Sequence, residues 1–455
     1  HKHEFMEAMS KYTKKESIPL PLGSEKLKEF ISLLPFKLTN GQVDAVDTIK
    51  ESFILKSPSK VLIQGDVGCG KTIVAIIACF HAITNNHQCL VLVPTEVLCN
   101  QHFFTFKKYL HSYGVVEMIS GKTSDQDRTL IKDKIALGEI SVLVGTHALL
   151  FNDYYFKSLA LVIIDEQHKF GVKQREKITS NYKKQPHLIY MSATPIPRTL
   201  GLVLYESMNY ITIEDKPSNR QLIETIVIDD KQRDKIVLSV NNHLNNKMQV
   251  YWVCTRVEDT LDDDVQSVKI FSDSIKKLFP KHRVSVLHGK LSSEKKIKII
   301  EDFKHAKIDI LVTTSVIEVG VDCPNANCLV VENSELFGLA QLHQLRGRVG
   351  RGETQGFCYL VHSSRTKNDS IEKLKYLEAH HSGFDVAEYD LKLRGTGTYL
   401  GNKQSGMPDN YRISNINDIM DNITYIKSFE YEFPSSKIRE LKKRWNIKKA
   451  NEIQL

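Results

Sequence analysis

The sequence predicts an α/β protein with two tandem domains, each built on a parallel β-sheet. Three observations lead to this fold class. Short apolar runs of strand length alternate with helical patterns, a glycine-rich loop joins one such run to an apolar helix, and the alternation stops near residues 215–220 before it resumes. The 455 residues suffice for two to four domains, and a content of 41% hydrophobic and 25% charged residues is typical of a globular protein.

Charge, apolar runs and cysteine content indicate which partners and which cellular location to expect. A formal net charge of +8 at pH 7 permits nucleic acid as a partner. No apolar run approaches the ~18 residues of a membrane span, and the polar start of the chain shows no signal-peptide pattern. That start also lacks an initiator Met, as in a fragment. The eight Cys form no C-x-x-C pair, which favours free thiols in a reducing cytosol. We therefore expect a cytoplasmic protein without a membrane partner.

Residues 61–78 have the order strand, glycine loop, helix. The apolar run 61–63 precedes residues 65–72, which read GDVGCGKT and fit the pattern G-x-x-x-x-G-K-[ST]. Backbone N–H groups of such a loop and the positive end of the following helix suit phosphate oxygens. Lys71 is expected to reach the β- and γ-phosphates, and Thr72 to hold Mg²⁺. The loop residues predicted to bind the nucleotide are Gly65, Asp66, Val67, Gly68, Cys69, Gly70, Lys71 and Thr72.

A candidate adenine site precedes the loop. Thr39 is placed to cap a helix that begins near Gly41. Gln42, just inside that helix, carries an amide that can both donate to and accept from adenine, and Phe36 is a candidate stacking partner. The alternative for Gln42 is an ordinary residue of a helix cap.

Three further apolar runs are each followed by a segment with short hydroxyl residues. These segments contain Thr95, Thr146 and Thr194. Ligands of parallel sheets collect at the carboxyl ends of the strands, where hydroxyl and backbone N–H groups suit phosphate contacts. The alternative is a set of loops with capping hydroxyls.

The apolar run 159–164 ends in two adjacent carboxylates. Asp165 is predicted to bind Mg²⁺ through water, and Glu166 to orient and deprotonate the attacking water. Acid pairs after apolar runs are common, so this prediction depends on the glycine loop about 100 residues earlier.

The second set of strands contains no second phosphate loop, which suggests two similar domains that share one nucleotide. Such an arrangement predicts a cation supplied by the second domain. Arg348 and Arg351 lie three residues apart, so on a helix they share one face and can meet the γ-phosphate together. The alternative is a generic basic helix, but the interleaved glycines favour close backbone approach.

These motifs, in this order, resemble the core of the superfamily 2 helicases and, within it, the RecG family of bacterial DNA helicases. The specific strings are VIIDEQHKFGVKQR at 162–175, MSATPIPRTL at 191–200, TTSVIEVGVDCPNA at 313–326 and FGLAQLHQLRGRVGRG at 337–352. The similarity begins near residue 34 and continues to the end of the chain.

The resemblance implies two RecA-like domains of the P-loop NTPase fold, which bind ATP and Mg²⁺, and a small helical and loop translocation region after them. It also implies residue roles. Arg348 and Arg351 match arginine fingers, Gln344 matches a sensor of the γ-phosphate, and Thr194 lies in the segment that links nucleotide and DNA sites. Further matches are Gly320 and Asp322 as nucleotide-sensing residues, and Thr95, Thr146 and Thr314 as contacts to the DNA backbone.

Residues 383–406 resemble a translocation motif that RecG shares with the transcription-repair coupling factor. Arg394 and Gln404 are the residues of interest there. By resemblance this segment is a helical hairpin and loop that converts domain closure into movement on duplex DNA. Without the resemblance, the glycine-rich stretch after Arg394 would be interpreted as a surface loop.

The implied activity is that of an ATP-dependent 3′–5′ DNA helicase and duplex translocase. It would remodel stalled forks and Holliday junctions in repair and recombination, as a monomer, with DNA as partner and single-strand binding protein as a candidate partner at forks. The predicted divisions are residues 1–34 (a helical remnant or linker), 35–215 and 216–365 (the two RecA-like domains), and 366–455 (the translocation region).

The sequence departs from the family in two respects. Residues 1–34 are too short for the wedge domain that recognises branched DNA in RecG proteins, and Lys169 and Cys69 replace the usual Arg and Ser. Three rival functions remain open: a coupling factor that moves RNA polymerase, an RNA helicase, and an ATP-gated nucleic-acid binder without hydrolysis.

Overall fold

The computed structural model describes eleven parts of the chain. These parts are residues 16–21, 25–121, 123–146, 149, 154–166, 182–194, 208–215, 221–254, 263–314, 323–350 and 354–394. Four predicted site residues, Gly320, Asp322, Arg351 and Gln404, lie outside them, as does the side chain of Arg394.

The first sheet has seven parallel strands in the order β3-β4-β2-β5-β6-β1-β7. Its strands are β1 (Lys60–Gly65), β2 (Gln88–Val93), β3 (Val116–Ile119), β4 (Val142–Thr146), β5 (Leu159–Asp165), β6 (His187–Ser192) and β7 (Asn209–Ile213). The helices of this half are α1 (Glu25–Ser32), α2 (Asn40–Phe53), α3 (Lys71–Thr84), α4 (Glu96–Leu110) and α5 (Asp125–Leu137).

The second sheet has six parallel strands in the order β10-β11-β9-β12-β13-β8. Its strands are β8 (Glu224–Asp229), β9 (Gln249–Val253), β10 (Val284–Leu287), β11 (Ile310–Thr313), β12 (Ala326–Val331) and β13 (Phe357–His362). The helices are α6 (Arg233–Asn245), α7 (Asp263–Leu278), α8 (Ser293–Lys304), α9 (Leu339–Arg346), α10 (Asn368–Ala379) and α11 (Gly383–Arg394). The predicted fold class of two tandem parallel-sheet domains is confirmed.

Both sheets are covered by apolar side chains on both faces. In β1, Val61 and Ile63 belong to one buried cluster and Leu62 to another. In β9, Tyr251 and Trp252 divide between two clusters in the same way. Successive side chains of a strand point to opposite faces, so a strand covered by helices on both faces must be apolar throughout. This explains why the strands appear in the sequence as continuous apolar runs.

A buried glutamine occupies the equivalent position in each sheet. Gln88, the first residue of β2, donates from Nε2 to the carbonyls of Ile135 at 3.0 Å and Ile140 at 2.8 Å. Gln249, the first residue of β9, donates to the carbonyls of Phe303 and Ile308, both at 2.6 Å. In both cases one amide joins the end of a helix to the start of the next strand, which supports the interpretation of two similar domains.

Replacing Gln249 by Leu should lower the free energy of unfolding of the second domain by about 2–3 kcal/mol, because two buried carbonyls lose their donor. The measurement is urea denaturation followed by circular dichroism. Gln355→Leu, at an exposed position in the same domain, is the matched control. Equal midpoints for the two variants would contradict the structural role of Gln249.

In the part of the chain that the structure describes, no helix has both the length and the apolar character that crossing a bilayer requires. All eight cysteines lie in that part, where all are buried and none forms a disulfide bond. Cys69 is completely buried, so a thiol reagent would reach it only if the loop opened.

Candidate nucleotide site between the two domains

The glycine loop joins β1 directly to α3 and needs its glycines for two different reasons. Gly68 and Gly70 have φ values of 83° and 87°, in the left-handed region that favours glycine. At Gly65 there is instead no room for a side chain, since a Cβ there would lie 2.6 Å from the carbonyl oxygen of Ile213. The loop therefore curls tightly in front of α3, whose N-cap Gly70 has no side chain to cover the first-turn N–H groups. These groups suit an anion.

The side chain of Lys71 contacts the backbone of the phosphate loop. Its Nζ donates to the carbonyls of Gly65 at 2.6 Å and Asp66 at 3.1 Å. Phosphate oxygens on the loop would offer this ammonium group stronger, charged acceptors than the two carbonyls. Thr72 follows as the second residue of α3 and is half-buried.

Gln42 connects α2 to the loop. Its Nε2 donates to the Cys69 carbonyl at 2.8 Å, and its Oε1 accepts from the N–H of Thr39 at 3.0 Å. The predicted cap at Thr39 is present, so the capping interpretation of Gln42 is confirmed. An amide retains a second N–H and a second lone pair, so contact with adenine stays a prediction. The ring of Phe36 is 45% exposed, as a stacking surface requires.

Asp165 ends β5 with its carboxylate held on both oxygens. Oδ1 accepts from the backbone N–H of Glu166 at 3.0 Å, and Oδ2 lies 2.9 Å from His102 Nε2. Burial favours a higher pKa for Asp165, but the hydrogen bond and charge of His102 outweigh it and hold that pKa below its ordinary value. Asp165 is thus kept ionised, which is the form that a metal ion needs.

Glu166 has a different environment from its neighbour. Burial and the charge of Asp165 raise the pKa of Glu166 above its ordinary value, against the opposing effects of Lys71 and Arg348. Its backbone has a φ of 50°, a left-handed conformation that is uncommon for a non-glycine residue. Its Oε2 accepts a long hydrogen bond of 3.5 Å from the N–H of Ala193, beside Thr194. Two adjacent acids with opposite pKa shifts can divide metal binding and proton transfer between them.

The second domain approaches this site through α9 and the residues after it. Arg348 is 5% exposed, and its charge acts on Glu166. Gly347 packs against Val67 of the loop so closely that a Cβ would lie 2.9 Å from the valine Cβ. Gln344 is also buried on α9. The structure therefore places the loop, the acid pair and Arg348 near one another. The expectation that Arg348 lies on a helix is wrong, because α9 ends at Arg346, and its role as an arginine finger stays a prediction.

Of the four threonines predicted to contact DNA or link it to the nucleotide, two have side-chain partners and two are buried. Thr95 caps α4 by accepting from the N–H of Leu98 at 3.4 Å, and Thr194 Oγ1 lies 2.6 Å from Ser192 Oγ. Thr146 and Thr314 are 5% and 4% exposed at the ends of their strands. The capping alternative is thus supported for Thr95, and DNA contact stays a prediction for all four.

Two histidines that position carboxylates near the site were not predicted from the sequence. His102 on α4 contacts Asp165, and its Nδ1 is buried without a hydrogen-bond partner in the described residues. His343 on α9 lies 3.0 Å from Asp66. A signal existed for His102, which follows Thr95 by seven residues and so lies two turns along the same helix face.

Comparison with known proteins agrees with this geometry. Residues 39–203 match the profile of the DEAD/DEAH box helicases, and residues 231–353 match the helicase conserved C-terminal domain. The chain therefore carries regions that match both domains of a two-domain helicase.

Within that class, the chain matches the helicases named RecG. It is 39% identical over 403 residues to the ATP-dependent DNA helicase RecG of Pasteurella multocida (strain Pm70). It is 40% identical over 405 residues to the ATP-dependent DNA helicase RecG of Haemophilus influenzae (strain ATCC 51907 / DSM 11121 / KW20 / Rd). Each alignment covers 88% of this chain and 58% of the relative. A structure of RecG bound to a three-way DNA junction is 34% identical, with a TM-score of 0.78, and the match covers 94% of this chain and 55% of that one. The chain thus spans somewhat over half the length of these relatives.

Proposed function

We propose that this chain is an ATP-driven motor that moves along duplex DNA in the 3′–5′ direction and remodels branched DNA. Stalled forks and Holliday junctions in repair and recombination are the substrates that the resemblance implies. The main support for the proposal is a site built from both domains. In it the charge of Arg348, from the second domain, favours the ionised form of Glu166, from the first. Hydrolysis at such a site requires both domains, so it can be linked to their relative movement.

The residues present fit Mg²⁺ as well as ATP. In the described residues no group of three or more His, Cys, Asp or Glu could form an all-protein metal cage. Mg²⁺ in nucleotide sites typically binds to one or two protein ligands, phosphates and water, so Asp165 and Thr72 suffice as the protein's share. The bound ion would neutralise phosphate charge.

The remaining chemistry belongs to the chain's own side chains. The loop N–H groups and Lys71 bind the phosphates, and Glu166 orients the attacking water and accepts its proton. Arg348, with Arg351 as a further arginine finger, stabilises charge on the γ-phosphate as it develops. Gln344, Gly320 and Asp322 are proposed to sense the nucleotide, and Thr95, Thr146, Thr194 and Thr314 to connect its state to the DNA backbone.

The names of the same relatives support DNA as the partner. DNA is the partner in the name of each of them. We propose that the chain acts as a monomer in the bacterial cytosol, and that single-strand binding protein is a candidate partner at forks.

The test is the ATPase rate measured without nucleic acid, with duplex DNA and with a model fork, at one fixed salt concentration. Stimulation by duplex DNA is expected. Further stimulation by the fork would place branch recognition within this chain. Stronger stimulation by duplex RNA would favour an RNA helicase, and capture of purified RNA polymerase would favour a coupling factor. An absence of hydrolysis under all conditions would favour an ATP-gated binder.

Replacing Arg394 by Ala should uncouple the motor. Arg394 ends α11, at the start of the predicted translocation loop, and is remote in sequence from the acid pair. We expect the DNA-stimulated ATPase rate to stay within about twofold of that of the unsubstituted protein. The rate of fork unwinding should fall at least about tenfold, which corresponds to about 1.4 kcal/mol or more in activation free energy. Lys392→Ala, at an exposed position of α11, is the control. Equal loss of both activities would make Arg394 a structural residue.

A further inference from the structure

The carboxylate of Asp66 contacts two elements of the second half of the chain. His343 Nε2 on α9 lies 3.0 Å from its Oδ1, and the backbone N–H of Gly383, the first residue of α11, donates to its Oδ2 at 3.3 Å. Asp66 belongs to the phosphate loop, so a loop residue of the first domain meets both the helix that precedes Arg348 and the helix that begins the predicted translocation motif.

Arg346 fixes the direction of the hydrogen bond between His343 and Asp66. Arg346 Nη2 lies 2.9 Å from His343 Nδ1. A guanidinium group only donates, so Nδ1 accepts, and a neutral imidazole then carries its proton on Nε2. That proton points to Asp66. The same guanidinium donates from Nη1 to the carbonyl of Leu377, in the last turn of α10, at 2.6 Å.

These contacts bind the turn between α10 and α11 from both sides. Leu377, at the end of α10, is held by Arg346, and Gly383, at the start of α11, is held by Asp66. His343 and Arg346 are 5% and 3% exposed, so water does not compete freely for either contact. A Cβ on Gly383 would lie 2.7 Å from His343 Nε2 and would overlap the Asp66 carboxylate. The site therefore admits glycine alone at the start of α11.

We propose that Asp66, His343 and Arg346 form a relay that transmits the position of the phosphate loop to the turn between α10 and α11. The proposal rests on the proposed motor function and adds a route for its coupling. His343 is a positioning residue in this relay, since it acts through Asp66 and Arg346. When phosphates reorder the loop, Asp66 moves, and both hydrogen bonds of its carboxylate change together. The start of α11 then shifts with the nucleotide state.

Two substitutions of His343 separate the relay from simple packing. In His343→Gln the amide nitrogen takes the place of Nε2 and can still donate to Asp66, whereas the shorter side chain of His343→Asn cannot reach it. We expect His343→Asn to keep DNA-free ATPase within about twofold and to reduce base pairs unwound per ATP at least about tenfold, while His343→Gln stays close to the unsubstituted protein. Gly383→Ala should uncouple the motor by steric displacement. His305→Asn, exposed at the residue that follows α8, is the control.

A second readout does not depend on motor activity. Hydrogen exchange of the amides in residues 380–387 is compared with and without a non-hydrolysable ATP analogue, in the full chain. The relay predicts a nucleotide-dependent change of at least about tenfold in the exchange rate near Gly383, present in His343→Gln and lost in His343→Asn. Thermal melting of each variant excludes general unfolding.

The outcomes distinguish the relay from the proposed function. If the unsubstituted protein shows the nucleotide-dependent exchange but no DNA-stimulated activity, the motor function is wrong and the relay stands. If His343→Asn retains both full coupling and the exchange response, or if it loses DNA-free ATPase together with unwinding, the relay is overturned.

Discussion

Replacing Glu166 by Gln should abolish ATP turnover and leave ATP binding intact. The substitution keeps the size of the side chain and removes only its ability to accept a proton. Burial and the charge of Asp165 raise the pKa of Glu166, which suits a general base, whereas Asp165 is held ionised by His102. Loss of a general base typically costs about 10²–10⁴-fold in rate. Phosphate release gives the rate, and titration with a fluorescent ATP analogue gives the dissociation constant.

The control for Glu166→Gln is Glu139→Gln, an exposed carboxylate of the same domain. We expect the control to match the unsubstituted protein in both measurements. Near-normal hydrolysis by Glu166→Gln would remove this residue from the mechanism. Loss of ATP binding together with turnover would instead mean that the side chain shapes the site and does not act as the base.

Replacing Arg348 by Ala should lower the turnover number by about 10³-fold with little change in ATP affinity. Arginine fingers contribute about 10³–10⁵-fold because they act on charge that develops only in the transition state. Arg348→Lys should recover only part of this rate, since an ammonium group cannot make the paired contacts of a guanidinium group. Single-turnover hydrolysis with and without duplex DNA is the appropriate measurement.

Arg365→Ala, at an exposed position of the second domain, is the matched control for Arg348→Ala. Arg348 is buried, so thermal melting of each variant must accompany the kinetics. A loss of ATP affinity equal to the loss of rate would show that Arg348 acts in the ground state, as an ordinary phosphate-binding residue.

The sequence predicted those parts of the fold that depend on local pattern. Val61 to Ile63 are apolar because β1 is buried on both faces, and Gly70 followed by Lys71 marks the start of α3. Strands β3 (Val116–Ile119) and β7 (Asn209–Ile213) were not recognised, and neither were β8, β12 and β13. The first two are edge strands, and several of their side chains are partly exposed, so they lack a continuous apolar run.

The candidate site was predictable where a motif defines the chemistry. Lys71, Asp165, Glu166 and Arg348 are such residues, and the structure brings them together. His102 and His343 carry no motif, because their roles depend on which distant carboxylate the fold places opposite them. The left-handed backbone of Glu166 was likewise not predictable, since this conformation is uncommon for a non-glycine residue.

The order of strands in the two sheets has a consequence for how the protein is made. Strand β7 closes the first sheet against β1, so that sheet can be complete before the second domain leaves the ribosome. Among the described strands, β8 pairs with β13 alone, which is the last strand of its sheet in the chain. At typical synthesis rates β8 therefore waits on the order of ten seconds for its partner. During this interval its backbone is open to incorrect pairing, and the nascent chain carries a finished first domain without the Arg348 that its site requires.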